Sequence, residues 1–313
     1  MPVHVQLQTQ IRHLIATGAL KAGVQLPTVR QLAGFLRINR NTAARALAAL
    51  HQDGYVESRR GRGTFVTETP PTHARGAARN LERLVDHTLE RARRLGFTQE
   101  ELMATLAAHT GQGRRPGAAR LRALLVECNP PELAQYAEQL EAELPLQVER
   151  MLADEFARRA AEEPDLLRGV RVVVTTFFHI HEVKRALPAG GPPVVALLSE
   201  ANISTLQRLT ELPEGTVVGL VCNTPRGSQN ILASVQSAGL SHLVPVLASA
   251  DDPWSIDRML ERTRLVVCSD PAADKIREHL PADVEVIRAD RRLDSGGIEM
   301  LRALVADLEA AEA

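Results

Sequence analysis

The stretch from Leu26 to Val66 reads LPTVRQLAGFLRINRNTAARALAALHQDGYVESRRGRGTFV, and its spacing of apolar residues leaves room for little besides two short helices and a hairpin. Thr28 can cap the first helix by accepting from an orphan amide beyond Pro27. Val29, Leu32, Ala33 and Leu36 then fall at i, i+3, i+4 and i+7, one buried face. Asn39 is the next cap, and Ala44, Leu47, Ala48 and Leu50 are the expected inner face of a second helix. Asp53-Gly54 stops that helix, because glycine tolerates the left-handed turn at a helix C-terminus. Tyr55-Val56 and Thr64-Phe65-Val66 are short β runs around Arg59, Arg60, Gly61, Arg62 and Gly63. Helix, turn, helix and basic hairpin in this order make a winged helix-turn-helix, an α+β module.

Charge agrees with the pattern. The chain of 313 residues carries a net charge of −1. Residues 1–70 hold nine Arg or Lys against Asp53, Glu57 and Glu68, a balance of +6 that leaves −7 for the remainder. A basic module on an acidic body fits phosphate binding at one end. The expected DNA contacts are Thr28, Arg30, Asn39, Arg40, Asn41, Thr42 and Arg45 from the helices, with Arg60, Gly61 and Arg62 at the wing. Such readers act as two-fold dimers on palindromic sites, so a homodimer on double-stranded operator DNA is expected.

The same stretch resembles the DNA-binding domain of the GntR family of bacterial transcription regulators. That family's signature runs Leu-Pro-Ser-x-Arg, Leu-Ala, a turn ending in Arg, and a Gly-x-Gly-Thr-(Phe/Tyr)-Val wing. Here those elements are Leu26, Pro27, Thr28, Arg30, Leu32, Ala33, Arg40, Gly61, Gly63, Thr64, Phe65 and Val66. Thr28 replaces the usual Ser, and Asn41 stands where Thr is common; each keeps a polar, capping-type side chain. The resemblance implies a regulator whose wing tip lies in or over the minor groove.

Upstream, Val3, Leu7, Ile11, Leu14 and Ile15 predict a helix over Val3–Ala16, ended by Gly18. Downstream, Pro70-Pro71-Thr72-His73 reads as a stiff linker. Residues 77–113 then predict a helical hairpin: Leu81, Leu84, Val85 and Leu89 share a face, Gly96 breaks it, and Thr98 with Glu101 forms a capping box. This hairpin looks like that of the YtrA-type branch of the family, where it dimerises; packing onto the next domain is the alternative. The domains expected are 1–69 (winged helix-turn-helix), 70–116 (linker and hairpin) and 117–313.

From Leu121 onward short apolar runs alternate with helical intervals, the signature of βαβ units and parallel sheets. The runs are Ala123–Val126, Leu146–Val148, Val170–Thr175, Val194–Leu198, Thr216–Val221, His242–Leu247, Leu265–Cys268 and Val284–Ile287. Leu124 to Pro131 can be laid on Val218 to Pro225 at an offset of 94, and Val172 to Thr176 on Val266 to Asp270 at the same offset. An internal repeat of this kind predicts two pseudo-symmetric α/β lobes, about 117–210 and 211–313. The architecture resembles the periplasmic-binding-protein-like sensors fused to many bacterial regulators.

Ligands of open parallel sheets sit beyond the carboxyl ends of the strands. The residues there are Glu127, Asn129, Thr175, Thr176, His179 and Ser199 in the first lobe, and Asn223, Thr224, Arg226, Ser269 and Asp270 in the second. Together they would bind a compact polar effector whose identity the sequence does not show; singly, each could equally be a helix cap. Because residues 70–116 are the chain link, lobe closure is expected to reach the DNA-reading heads through the hairpin.

Other chemistry fits less well. The metal-binding helical effector domain of other family members needs ligands on a helical bundle, and His179 and His181 stand two apart, splayed on a helix; no metal site is expected. The aminotransferase-fused branch depends on a lysine and a far longer domain, whereas only Lys21, Lys184 and Lys275 occur here, so no cofactor is expected. Cys128-Asn129 and Cys222-Asn223 would lie at equivalent strand ends, similar to the paired cysteines of aspartate/glutamate racemases, which leaves a two-cysteine enzyme as the alternative to a non-catalytic sensor. The odd cysteine count, the lack of an apolar signal core and the lack of any bilayer-length apolar run point to a cytoplasmic protein.

Overall fold

The computed structural model describes residues 1–68, 87–103, 105, 120–163, 165–199, 201–290 and 292–310. The head comprises α1 (Val3–Ala16), α2 (Val29–Phe35), α3 (Arg40–Gln52) and an antiparallel wing of β1 (Val56–Arg59) and β2 (Gly63–Val66). Thr28 caps α2 as a full capping box: its Oγ1 accepts from Gln31 N at 3.2 Å, and Thr28 N donates back to Gln31 Oε1 at 2.9 Å. Asn39 caps α3 by accepting from Asn41 N at 2.8 Å. The inner face of α3 is Ala43, Ala46, Leu47 and Leu50, with Ala48 exposed, so the expected stripe through Ala44 and Ala48 is displaced around the helix. The Asn39 cap sets that phase. Residues 87–94 and 99–103 are helical, and Thr98 and Glu101 exchange the expected capping hydrogen bonds, at 2.8 and 3.1 Å. The Pro70–His73 linker and most of the 77–113 hairpin lie outside the described residues.

The body holds two four-stranded parallel sheets, as expected from the alternation. Lobe 1 contains β3 (Leu121–Glu127), α4 (Pro130–Glu143), β4 (Leu146–Leu152), α5 (Ala153–Glu162), β5 (Val172–Thr176), α6 (Ile180–Ala186) and β6 (Val194–Leu197). After α7 (Asn202–Thr210), lobe 2 contains β7 (Thr216–Cys222), α8 (Pro225–Ser237), β8 (Leu243–Ser249), α9 (Pro253–Leu260), β9 (Leu265–Ser269), α10 (Asp270–Ile276) and β10 (Glu285–Asp290), and α11 (Ser295–Ala310) follows. The strand orders are β4-β3-β5-β6 and β8-β7-β9-β10, the same topology twice.

Two details differ from the sequence reading. The repeat has no single offset. β3 maps onto β7 at 95 and β5 onto β9 at 93, as the pairings Val126–Thr175 and Val221–Cys268 require. An ungapped 94 averages the two and places each strand one residue out, on the wrong face. Structurally, Cys222 is therefore the counterpart of Glu127, and the two cysteines are not equivalent. Nor do the lobes divide at 210. Helix α7 packs on β10, while α11 returns to lobe 1 and buries Ile298, Met300, Leu301 and Val305 among its strands. The chain crosses between lobes twice, where Ser199 bridges Leu293.

The head is not tethered by a linker alone; it is docked on both lobes. Strand β6 is a sheet edge, and α1 covers it with two glutamines one helical turn apart. Gln6 donates to Val194 O (2.9 Å) and accepts from Ala196 N (2.7 Å). Gln10 donates to Ala196 O (2.9 Å) and accepts from Leu198 N (2.7 Å). The two side chains thus replace a missing neighbour strand, and both are fully buried. Against lobe 2, Gly34 of α2 lies on the C-terminal end of α8, where any Cβ would run into the Ser237 carbonyl. The expectation that closure must travel through the hairpin is overturned by this direct packing.

Candidate functional sites

On the head, Arg40, Asn41 and Arg45 project from the N-terminal half of α3 into solvent, with Thr42 half-buried beside them. Arg60, Gly61 and Arg62 form the exposed wing tip, Gly61 at φ 72° as the tight turn requires. Arg59 is committed elsewhere: it stacks over Phe65, 4.6 Å from the ring centroid, and pairs with Glu57 at 2.7 Å. Thr28 and Asn39 spend their side-chain acceptors on caps. Arg30 is exposed but lies beside Gly239 at the end of α8. The exposed arginines of α3 and the wing are therefore Arg40, Arg45, Arg60 and Arg62.

Between the lobes is a cavity of about 60 Å³. From the expected residues it is bordered by Glu127, Asn129, Thr176, His179 and Ser199, all of lobe 1. The expected residues of lobe 2 are engaged differently. Thr224 caps α8, accepting from Gly227 N. Arg226 reaches across to pair with Asp154 of lobe 1. Asp270 pairs with Arg288 at 2.5 Å, and Ser269, which does not border the cavity, has its Oγ 3.7 Å from Cys222 Sγ. Asn223 is buried away from it, and Thr175 of lobe 1 turns inward to donate to Val126 O. Lobe 2 instead borders the cavity with Cys222 and with one face of α8: Gly227, Asn230, Ile231 and Ser234.

The floor is a buried ion pair. His179 Nε2 stands 2.8 Å from Glu127 Oε1 and Nδ1 3.3 Å from Glu182, while Thr176 donates to Glu127 Oε2 at 2.8 Å. Burial opposes the carboxylate, but the His179 charge and the hydrogen bonds from His179, Cys128 N and Thr176 outweigh it and hold Glu127 below its usual range. Burial likewise opposes charge on His179, and Glu127, Cys128 and Glu182 overcome it, raising the imidazolium to about 12. Burial pushes the Cys128 thiol up and the Cys222 thiol up to about 12. Donor atoms of Glu127, Cys128 and His179 lie within 4.8 Å of one another, a set that could hold a metal ion, although Glu127 and His179 already satisfy each other.

The roof was not foreseen. It is the turn between α2 and α3. Phe35 meets Phe178 edge to face, ring centroids 6.0 Å apart, and Arg37 borders the cavity beside them. Arg37 has φ 56°, the only non-glycine residue with positive φ among the described residues. That left-handed conformation closes α2: Ile38 N donates to Ala33 O at 2.9 Å and Arg37 N to Gly34 O at 3.1 Å, the double hydrogen bond of a helix C-terminus. Asn129 supplies the complementary feature. Its Nδ2 donates to Glu132 Oε1 at 2.7 Å and to Cys222 Sγ at 3.2 Å, whereas its buried Oδ1 has no partner.

Comparison with known proteins follows the same division. Residues 4–66 match the family described as bacterial regulatory proteins, gntR family, and residues 219–312 match the YmtS Rossmann-like domain. The HTH-type transcriptional regulator Rv1152 of Mycobacterium tuberculosis is 41% identical over 105 residues, 34% of this chain and 83% of that protein. The HTH-type transcriptional repressor YtrA of Bacillus subtilis is 38% identical over 71 residues, 23% of this chain and 55% of its own length. A GntR family transcriptional regulator from Listeria monocytogenes superimposes with a TM-score of 0.25 at 28% identity, over 34% of this chain and 95% of that one. No described helix is long and apolar enough to cross a membrane. With its capped helix-turn-helix, its basic wing and its similarity to Rv1152, the chain belongs to the gntR family of bacterial regulatory proteins and is a DNA-binding transcription regulator.

Proposed function

We propose that this regulator is a cytoplasmic homodimer whose hold on a palindromic operator is set by a small effector bound between its lobes. One observation carries the reading: a single cavity is bordered by lobe 1, by lobe 2 and by the turn of the helix-turn-helix. A ligand filling it would contact the reading head directly. It shifts the head only by its difference in affinity between docked and undocked states. Dimerisation draws support from Leu95 and Phe97 in the turn after residue 94 and Met103 in the helix that follows, apolar side chains left exposed beyond the wing. Catalysis by paired cysteines is disfavoured, because a thiol base must ionise and burial raises both Cys128 and Cys222.

The test is a thermal-shift screen of the full chain against central metabolites, followed by operator binding with each hit. A ligand at a hundred times its dissociation constant adds about 2.7 kcal/mol of stability. A hit that leaves operator affinity unchanged refutes effector control. On the DNA side, Arg40→Ala should lose about 1–3 kcal/mol on operator relative to random duplex. Equal loss on both would mean that Arg40 meets only phosphate.

A further inference from the structure

The cavity is bordered by two groups of opposite character. On its roof Arg37 is exposed, and among the described residues no hydrogen bond or ion pair holds its guanidinium. Glu182 feels its charge from a distance. Asn129, also at the cavity, is 1% exposed, and its Oδ1 is an unpartnered acceptor. The orientation of that carboxamide is fixed, since Glu132 Oε1, 2.7 Å away, can only receive the Nδ2 side. The buried carboxylate of Glu132 borders the cavity next to it. A buried acceptor without a donor is costly, and one that faces a cavity marks where a ligand's donor belongs.

Resting on the effector reading above, we infer that the cavity takes a small zwitterion of the α-amino-acid class, its ammonium donating to Asn129 Oδ1 and its carboxylate meeting Arg37. A simple anion would leave Asn129 Oδ1 unmatched and set like charge near Glu132. A simple cation would present like charge to Arg37. A dipolar molecule satisfies both groups at once. At about 10–15 Å³ for each water-sized occupant, a cavity of about 60 Å³ holds about four to six non-hydrogen atoms, a molecule the size of glycine or alanine, without opening further. Because Arg37 lies between α2 and α3, it is the head that the carboxylate grips.

The experiment uses the full chain and three matched sets: glycine, L-alanine and L-serine, their 2-hydroxy-acid counterparts (glycolate, lactate, glycerate), and their amides. Binding is read by thermal shift and calorimetry, with neutral sugars and nucleosides alongside. At least one amino acid should bind tenfold or more tighter than both its hydroxy acid and its amide. Arg37→Gln should erase the preference over the amide and keep the preference over the hydroxy acid; Asn129→Leu should do the reverse. Arg37 is exposed, so its variant folds even if Asn129→Leu does not. Equal binding of amino acid and amide by the wild type overturns the proposal, as does an Arg37→Gln variant that still prefers the amino acid. A shift by a sugar or nucleoside with none by the amino acids sinks the zwitterion and leaves effector control standing. No shift from any compound sinks both.

Discussion

The two lobes share a strand order and differ in what stands at the ends of their first and third strands. In lobe 1 Thr176 donates to Glu127, and His179 supplies the counter-charge. At the same structural positions lobe 2 has Ser269, Cys222 and Ala272, with hydroxyl and sulfur 3.7 Å apart and no charge at all. One fold therefore carries a charged, fully hydrogen-bonded floor on one side and a neutral one on the other. The lesson is that a repeated topology fixes where a site lies without fixing which lobe shapes it. Lobe 1 borders the cavity with its charged strand ends, and lobe 2 borders it with the neutral Cys222 and one face of α8.

Breaking the charged floor is expected to have the largest effect. Glu127→Ala strands an imidazolium among buried groups and should cost about 3–5 kcal/mol, whereas Cys222→Ser at the equivalent site should cost about 1 kcal/mol. Urea midpoints of the two variants measure the contrast directly. Similar losses would mean that the lobes do not differ in the way their contacts imply.

The same pair predicts a pH profile. His179, raised to about 12, stabilises fully below the ordinary 6.5 and loses that contribution as pH climbs toward 12. Glu127, held below its ordinary 4.5, stabilises above that value and loses its contribution as pH falls through the depressed one. The floor should contribute most between 4.5 and 6.5. A Glu127→Gln/His179→Gln double variant should remove the part of the stability decline above pH 7 that belongs to the pair. Parallel wild-type and variant curves from pH 6 to 10 would show that the pair is not ionised in the folded chain.

How the head grips each lobe sharpens the comparison further. It holds lobe 1 by hydrogen bonds and lobe 2 by close packing. Gln6→Ala or Gln10→Ala should each strand edge groups of β6 and cost about 1–3 kcal/mol. Gly34→Ala, wedged against Ser237, should cost a similar 1–3 kcal/mol through overpacking. All three should raise hydrogen exchange in α2. If the glutamine variants leave that exchange at the wild-type rate, α1 does not fix the head.

These contacts also show why the sequence was legible in places. The head could be read because caps, glycines and wing arginines are local signals, and each of them lies within a turn of what it specifies. Lobe 1's share of the cavity was legible from the rule that clefts of parallel sheets open at the carboxyl edge, and Glu127, Asn129, Thr176, His179 and Ser199 border it there. Lobe 2 was not, for two reasons. A repeat whose offset alternates between 95 and 93 disguises a one-residue slip, and helix α8 covers the strand ends with Asn230, Ile231 and Ser234. Arg37 was hidden because its role depends on docking between distant segments. The trace of that docking was in α1, where Gln6, Gln10 and His13 form a polar stripe beside the apolar one; His13 Nε2 meets Ser295 Oγ at 2.9 Å.

The smallest expected effect lies at an exposed ion pair between the lobes, where Arg226 of lobe 2 pairs with Asp154 of lobe 1. The two side chains are 60% and 53% exposed, so the pair is solvated and screened. Such pairs contribute about 0–1 kcal/mol, which bounds any effect on lobe opening at roughly fivefold in population. Asp154→Ala should therefore leave the denaturation midpoint nearly unchanged while modestly raising hydrogen exchange at the start of α8. The charge-reversed pair Asp154→Arg/Arg226→Asp should restore it. The pair also joins two helix starts, and a cation is the poorer partner for such a start. Reversal would move the cation from α8 to α5 without removing that penalty, so recovery to the wild-type level, and not beyond it, is the expected result. If Asp154→Ala costs as much as Glu127→Ala, the exposed pair between the lobes carries as much stability as the buried pair within lobe 1, and the asymmetry between the lobes is a surface property.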